Sequence, residues 1–278
     1  MKDILILDGA TGTELLKRGY DGKDQAEWIL THKSVFDELQ EAYKEAGSMV
    51  LYTPTFLCNR AQLSLFSKGD KVREYNMEMF ELAKKHGTLV FGDLGPTGLF
   101  SGRLGNTSER EIYSIYKEEA SVLEECGVDT FIIETMMTRE DAINALRAVK
   151  DVSSKPVILS LSIYKKGKIM SGDDIIDILK EAETIGIDAF GLNCSQGPEE
   201  MLKEIKRIHE ATDLPLLAKP NAGLPVIRGG KTVYDCPPER FASYAKAFIE
   251  NGVRYIGGCC GTTPEHIRAL KKEIESLC

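Results

Sequence analysis

The stretch Gly257-Gly258-Cys259-Cys260-Gly261-Thr262-Thr263-Pro264 follows the pair Tyr255-Ile256 near the C-terminus. On a regular strand, neighbouring side chains point to opposite faces. Both thiols therefore reach one point only if the backbone bends, and the flanking glycines permit that bend. Adjacent cysteines are badly placed for a mutual disulfide, because their Cα atoms are too close for relaxed geometry. For an isolated Cys-Cys pair, two buried structural thiols would be the plain reading. A third cysteine in a like setting, Cys194 in Gly191-Leu192-Asn193-Cys194, changes it: three thiols ending separate apolar runs read as a zinc site with one position open.

Working outward from this stretch, one pattern recurs. A short β-rich apolar run meets Gly, Pro or Asn and is followed by an amphipathic segment. The spacing predicts eight strands, at Ile4–Ala10, Met49–Thr55, Leu89–Gly95, Thr130–Thr135, Pro156–Ile163, Ala189–Cys194, Pro215–Asn221 and Tyr255–Cys260. Eight helices follow, from Glu27–Ala46 to Pro264–Leu277. Glycines stop several of them, as in Ala46-Gly47 and Cys126-Gly127, and Pro198, Pro238 and Pro264 stand at first-turn positions. Eight βα units in one chain describe a (β/α)8 barrel of the TIM type. The rival, a doubly wound open sheet, lacks its glycine fingerprint after the first strand. No linker or composition shift divides residues 1–278, so a single domain is expected.

The barrel reading places the unusual residues on one rim, at the C-terminal ends of the strands where such barrels do their chemistry. Asp8-Gly9-Ala10, Glu134-Thr135, Asn193-Cys194, Lys219-Pro220-Asn221 and Cys259-Cys260 all fall there. The long segment Ala222–Pro237 is a candidate lid. The net charge of −8 argues against a nucleic-acid surface. No run is long enough for a signal core or a membrane span. Seven cysteines without a secretory signal point to a reducing cytoplasm and to metal or catalytic roles.

Zinc held by three thiolates carries net charge −1. It is a poor Lewis acid, but it captures a substrate thiol well. A free thiol is mostly protonated at neutral pH, with a pKa of about 8.5, and coordination deprotonates it. The expected reaction is attack of a zinc-bound thiolate on an electrophilic carbon. Gly9-Ala10-Thr11-Gly12 can offer backbone N–H groups to a carboxylate, or can be an ordinary turn. Glu134 can pair with a substrate ammonium, or with Arg139 on the next helix. Asp8 is a second acid at the rim. Together these handles describe a thiol amino acid. Two other classes stay open: Schiff-base lyase chemistry on Lys219, and a non-catalytic zinc or thiol carrier.

Asp8-Gly9-Ala10-x-Gly12-Thr13, Gly95-Pro96-Thr97-Gly98, Glu134-Thr135, Gly191-Leu192-Asn193-Cys194, Pro220-Asn221-Ala222-Gly223 and Gly258-Cys259-Cys260-Gly261-Thr262-Thr263-Pro264 resemble the homocysteine S-methyltransferase family over nearly the whole chain. The resemblance implies zinc bound by Cys194, Cys259 and Cys260, with homocysteine sulfur as fourth ligand. It implies that Gly9, Ala10 and Glu134 hold the amino-acid moiety, with Asp8 nearby, and that methionine is the product. Pro220-Asn221-Ala222-Gly223 is most similar to the homocysteine module of cobalamin-dependent methionine synthase, which implies Asn221 as an oxygen ligand when substrate is absent. One departure is Thr53-Pro54-Thr55-Phe56, where that enzyme usually has Asn at the second position.

The cobalamin-binding signature Asp-x-His-x-x-Gly does not occur. The donor is therefore expected to be either a small molecule or a corrinoid carried by a separate protein that docks at the barrel mouth, and the resemblance of Pro220-Asn221-Ala222-Gly223 to the cobalamin-dependent enzyme implies the second, a methylcorrinoid such as methylcobalamin. S-methylmethionine is the alternative. Betaine is disfavoured, because the chain ends directly after its eighth helix. A related thiol or selenol substrate stays open. Cys58, Cys126, Cys236 and Cys278 are expected to play no part in metal binding.

Overall fold

The computed structural model describes residues 4–102, 104–228 and 231–277. Ten strands occur among them: β1 Leu5–Ile6, β2 Val50–Tyr52, β3 Leu89–Leu94, β4 Thr130–Met136, β5 Val157–Leu161, β6 Ala189–Asn193, β7 Leu216–Lys219, β8 Pro225–Arg228, β9 Lys231–Tyr234 and β10 Val253–Ile256. Eight of them form one parallel sheet in the order β1-β10-β7-β6-β5-β4-β3-β2. The sheet curls until its ends meet: Met49 N donates to Ile6 O at 2.7 Å. The result is a nearly closed barrel with helices between the strands, so the open-sheet alternative is excluded.

Two apolar layers hold it together. Leu7, Val50, Tyr52, Phe91, Ile132, Ile158, Ala189 and Leu217 fill the barrel interior. The alternate residues face outward into a larger core under the helices, as Ile133, Leu159 and Phe190 do. This is the period-two pattern of strands covered on both faces. Helix starts are capped by side chains: Ser108 accepts from Glu111 N, and Thr138 accepts from Asp141 N. Each such cap is worth about 1 kcal/mol. Gly47, Gly127 and Gly186 end their helices in the left-handed conformation, as the sequence pattern predicts.

Several expected boundaries move. The helix expected at Glu27–Ala46 is two helices, Gln25–Thr31 and Lys33–Ala46, broken at His32. The last barrel strand is Val253–Ile256 and stops short of the cysteines. Its ladder is replaced by turn bonds: Gly258 N donates to Asp8 O, and Cys259 N to Pro220 O. The segment Ala222–Pro237 is not a bare loop. It carries the antiparallel hairpin β8–β9, whose sequence signal is Gly229-Gly230 between the β-branched pairs Val226-Ile227 and Thr232-Val233. Among the described residues no helix is long and apolar enough to cross a membrane.

Candidate active site

Above the apolar plug of the barrel, the inward positions turn polar. Glu134 comes from β4, Ser160 from β5, Asn193 from β6 and Lys219 from β7. Beside this layer lies a cavity of about 280 Å³, open at the C-terminal rim, whose wall includes Gly9, Gly12, Glu134, Cys194, Cys259 and Cys260. The expected rim is therefore where the sequence places it.

The three thiols converge. Among the described residues they are the one group of cysteines with metal-ligand geometry, their Sγ atoms all within 4.8 Å of one another. Cys194 Sγ and Cys260 Sγ are 3.9 Å apart. With a Zn–S bond of about 2.3 Å, the edge of a tetrahedral site is about 3.8 Å, so the spacing suits one four-coordinate ion. Cys58, Cys126 and Cys236 are free thiols outside the cluster, and Cys278 lies outside the described residues.

Local turns bring neighbouring cysteines to one point. Thr262 donates through its N–H (3.1 Å) and its Oγ1 (2.7 Å) to Cys259 O, closing a tight loop. Gly258 must be glycine there, because a Cβ would lie 2.4 Å from Thr262 Oγ1. Cys194 and Ser195 both adopt left-handed backbone, with φ of 60° and 55°. Such residues cost of order 1–3 kcal/mol each and persist only where neighbours enforce them. Hydrogen bonds from the Cys194 and Cys259 thiols hold Cys260 well below the ordinary thiol pKa.

The residues expected to hold an amino acid have partners that the fold supplies. Glu134 does not pair with Arg139, which binds Glu181 at 2.6 Å instead. Burial pushes the Glu134 carboxyl up to about 7, against the pull of Lys219. Asp8 is fully engaged: Oδ1 meets Lys219 Nζ at 2.7 Å, and Oδ2 accepts Tyr52 N at 3.0 Å. The Ala10 N–H, expected to face a carboxylate, is committed to Thr262 Oγ1 at 3.1 Å, and Tyr43 Oη donates to Ala10 O at 2.7 Å. What the β1 loop leaves at the cavity wall is the start of the helix Gly12–Lys17, whose first amides have no partner within the helix. Gly9 is required by its neighbour, since a Cβ there would meet the Tyr43 ring at 2.6 Å.

Lys219 lines the cavity, whereas Asn221 does not. Strand β7 ends at Lys219, so its alternation does not carry Asn221 to the same wall. Asn221 is buried beside the cysteine loop, and its Oδ1 has no hydrogen-bond partner. Two residues of this site, Asp93 and Tyr52, were missed in the sequence, and Asn193 was placed at the rim without a role. Asp93 on β3 lines the cavity at 3% exposure, and burial raises its carboxyl pKa. Its signal was an acid in the inward register of an otherwise apolar strand. Tyr52 carried no comparable signal.

The family model described as homocysteine S-methyltransferase matches residues 5–274. The chain belongs to the homocysteine S-methyltransferase family. Within the wider set of family relatives, it is 31% identical over 292 residues to the methionine synthase of Mycobacterium leprae (strain TN), covering 96% of this chain and 24% of that protein. It is 29% identical over 299 residues to the methionine synthase of Mycobacterium tuberculosis (strain ATCC 25618 / H37Rv), covering 99% and 25%. The chain thus spans about a quarter of the length of these relatives. Its fold matches the homocysteine methyltransferase MmuM from Escherichia coli, metallated form, with TM-score 0.84 at 24% identity, covering 97% of this chain and 96% of that one. The match to the apo form of the same protein has TM-score 0.71 at 25% identity, covering 98% and 96%.

Proposed function

We propose that this chain moves a methyl group onto the sulfur of homocysteine to give methionine, with zinc held by Cys194, Cys259 and Cys260. One observation carries the reading: three thiols meet on the wall of a cavity that also presents a half-buried glutamate. The donor set suits zinc by softness and spacing. The unpartnered Asn221 Oδ1, on a loop bonded to the cysteine loop through Ala222 N to Cys260 O, suits a fourth ligand displaced by substrate.

Zinc, when bound, would supply the deprotonation of the substrate thiol and keep its sulfur electron-rich. The protein's part is to seat the rest of the molecule. Lys219 and Asp8 neutralise each other, and of the two remaining acids on the wall, Asp93 and Glu134, Glu134 is assigned to the ammonium. The backbone of Thr11, Gly12 and Thr13 on the cavity wall is the assigned seat of the carboxylate. A C–S bond then forms from the sulfur lone pair as the bond between the methyl carbon and its donor breaks, and that bond's electron pair leaves with the donor.

We favour a methylcorrinoid on a separate protein as donor. Large apolar side chains stand exposed in the segments that follow β2, β5 and β7, with Leu65 73%, Tyr164 77% and Ile227 80% exposed. Exposed apolar surface of this kind suits protein docking. The second reading is S-methylmethionine. It is favoured by Asp93 and Glu134 together, since two acids beyond the Asp8–Lys219 pair suit a second cation.

The test is turnover of homocysteine by the zinc-loaded protein with free methylcobalamin, a protein-bound methylcorrinoid, S-methylmethionine, betaine and methyltetrahydrofolate. The expected result is slow transfer from free methylcobalamin and much faster transfer from the protein-bound form, because docking replaces encounter by positioning. Rapid turnover with S-methylmethionine and none with any corrinoid would replace the donor. No methionine from any donor, with zinc and homocysteine bound, would favour the carrier class.

A further inference from the structure

Asn193 is the last residue of β6, fully buried, directly before Cys194. All its hydrogen-bonding capacity is used. Oδ1 accepts from Thr135 N at 2.9 Å and from Ser160 Oγ at 2.7 Å. Nδ2 donates to Thr135 Oγ1 at 2.6 Å and to Glu134 Oε2 at 3.4 Å. The orientation of the amide is not arbitrary, since the Thr135 N–H can only donate and so must face the oxygen. One side chain therefore ties together the ends of β4, β5 and β6.

Two strained turns flank it. Thr135, next to Glu134, has φ of 60°, and Cys194 and Ser195 have φ of 60° and 55°. None is glycine, so each needs neighbours that enforce its conformation. Asn193 is the element these turns share: it bonds Thr135 through both backbone and side chain, and it precedes Cys194 in the chain. Glu134 lies at the amino-acid end of the cavity and Cys194 at the thiol end.

We propose that Asn193 is a positioning residue that ties the Glu134 end of the substrate site to the end of β6, fixing where the Glu134 carboxylate lies relative to Cys194 so that the ammonium and the sulfur of one amino acid seat together. The proposal rests on the zinc–homocysteine reading above. It goes further by predicting that a thiol amino acid and a plain thiol respond differently to the same substitution.

The experiment uses the protein loaded with cobalt(II), whose sulfur-to-cobalt charge-transfer absorption reports thiol binding without turnover. Homocysteine and 2-mercaptoethanol are titrated into wild type, Asn193→Ala, Glu134→Gln and the double variant. Asn193→Asp keeps the shape and both acceptor bonds while losing the donors, and it replaces the Ala variant if that fails to fold. The expected result is a loss of homocysteine affinity of about tenfold, the size of one charge-assisted hydrogen bond, with 2-mercaptoethanol affinity within about twofold of wild type. In the Glu134→Gln background the same change should cost clearly less, since residues in one network are not additive. Equal losses for both thiols, or strictly additive losses, would overturn the coupling role. Failure of the underlying reading would show separately, as wild type that takes up no cobalt or gives no absorption change with homocysteine.

Discussion

Lys219 Nζ lies 2.7 Å from Asp8 Oδ1 and 3.7 Å from the centroid of the Tyr52 ring. Both charged side chains are almost wholly buried, at 4% and 7% exposure. Lys219 is the only Lys or Arg on the cavity wall among the described residues. The Asp8 and Glu134 charges around it outweigh the cost of burial and raise its pKa. A lysine held charged in this way has no free amine to attack a carbonyl, which counts against the Schiff-base alternative.

The same pair makes the first prediction. Lys219→Met should destabilise the fold by about 3–5 kcal/mol, because it strands the Asp8 carboxylate without a partner. Combining it with Asp8→Asn should restore much of the loss, since a buried pair removed whole costs less than one half removed. Urea denaturation of the two variants measures both. A single variant as stable as wild type would show that the pair contributes nothing to the fold.

Metal content is the second. The Cys194→Ser/Cys259→Ser/Cys260→Ser triple variant should retain no zinc by elemental analysis, while Cys58→Ser, Cys126→Ser and Cys236→Ser should hold one zinc per chain. Removal with a chelator should abolish homocysteine binding in wild type. Zinc at wild-type level in the triple variant would refute the ligand set.

The third concerns Glu134 and pH. Glu134→Ala should weaken homocysteine binding ten- to a hundred-fold, from loss of a charge-assisted contact worth roughly 1.5–3 kcal/mol, and leave zinc affinity nearly unchanged. Burial raises the carboxyl from 4.5 to about 7. Below that pH it is protonated and no longer an anionic partner, so the advantage of wild type over Glu134→Gln should shrink as pH falls through 7 and be full above it. Stability has the opposite sign. With the folded pKa above the unfolded one, the folded state binds the extra proton between about 4.5 and 7. The substrate-free protein therefore loses stability from this group as pH rises through that window. Calorimetric titrations of wild type and Glu134→Gln across pH 5.5–8.5 test the binding half; a constant ratio of affinities would remove Glu134 from the ammonium site.

How far the sequence reached depended on distance along the chain. The βα period, the glycines that stop helices and the cysteines on separate apolar runs were all legible, because each is a pattern within a few residues. Periodicity places an inward residue at a strand end without knowing its neighbours. That was enough for the barrel, for the rim and for the residues that meet there.

Only the tertiary structure decided what those residues touch. Asp8 and Lys219 are 211 positions apart, and Ala10 N and Thr262 Oγ1 are 252 apart. No local pattern announces that one amide of the β1 loop is already spent, or that Arg139 turns to Glu181 and leaves Glu134 free of it. Asn193 reads as one polar residue in a motif until β4 and β5 are brought beside it. Asp93 reads as a charge at odds with its apolar strand until barrel closure turns it towards the cavity. The sequence determined which side chains arrive at the mouth, because alternation and strand length are local. Closure of the barrel decided their partners and charge states, because hydrogen bonding and desolvation depend on neighbours that the chain brings together only when folded.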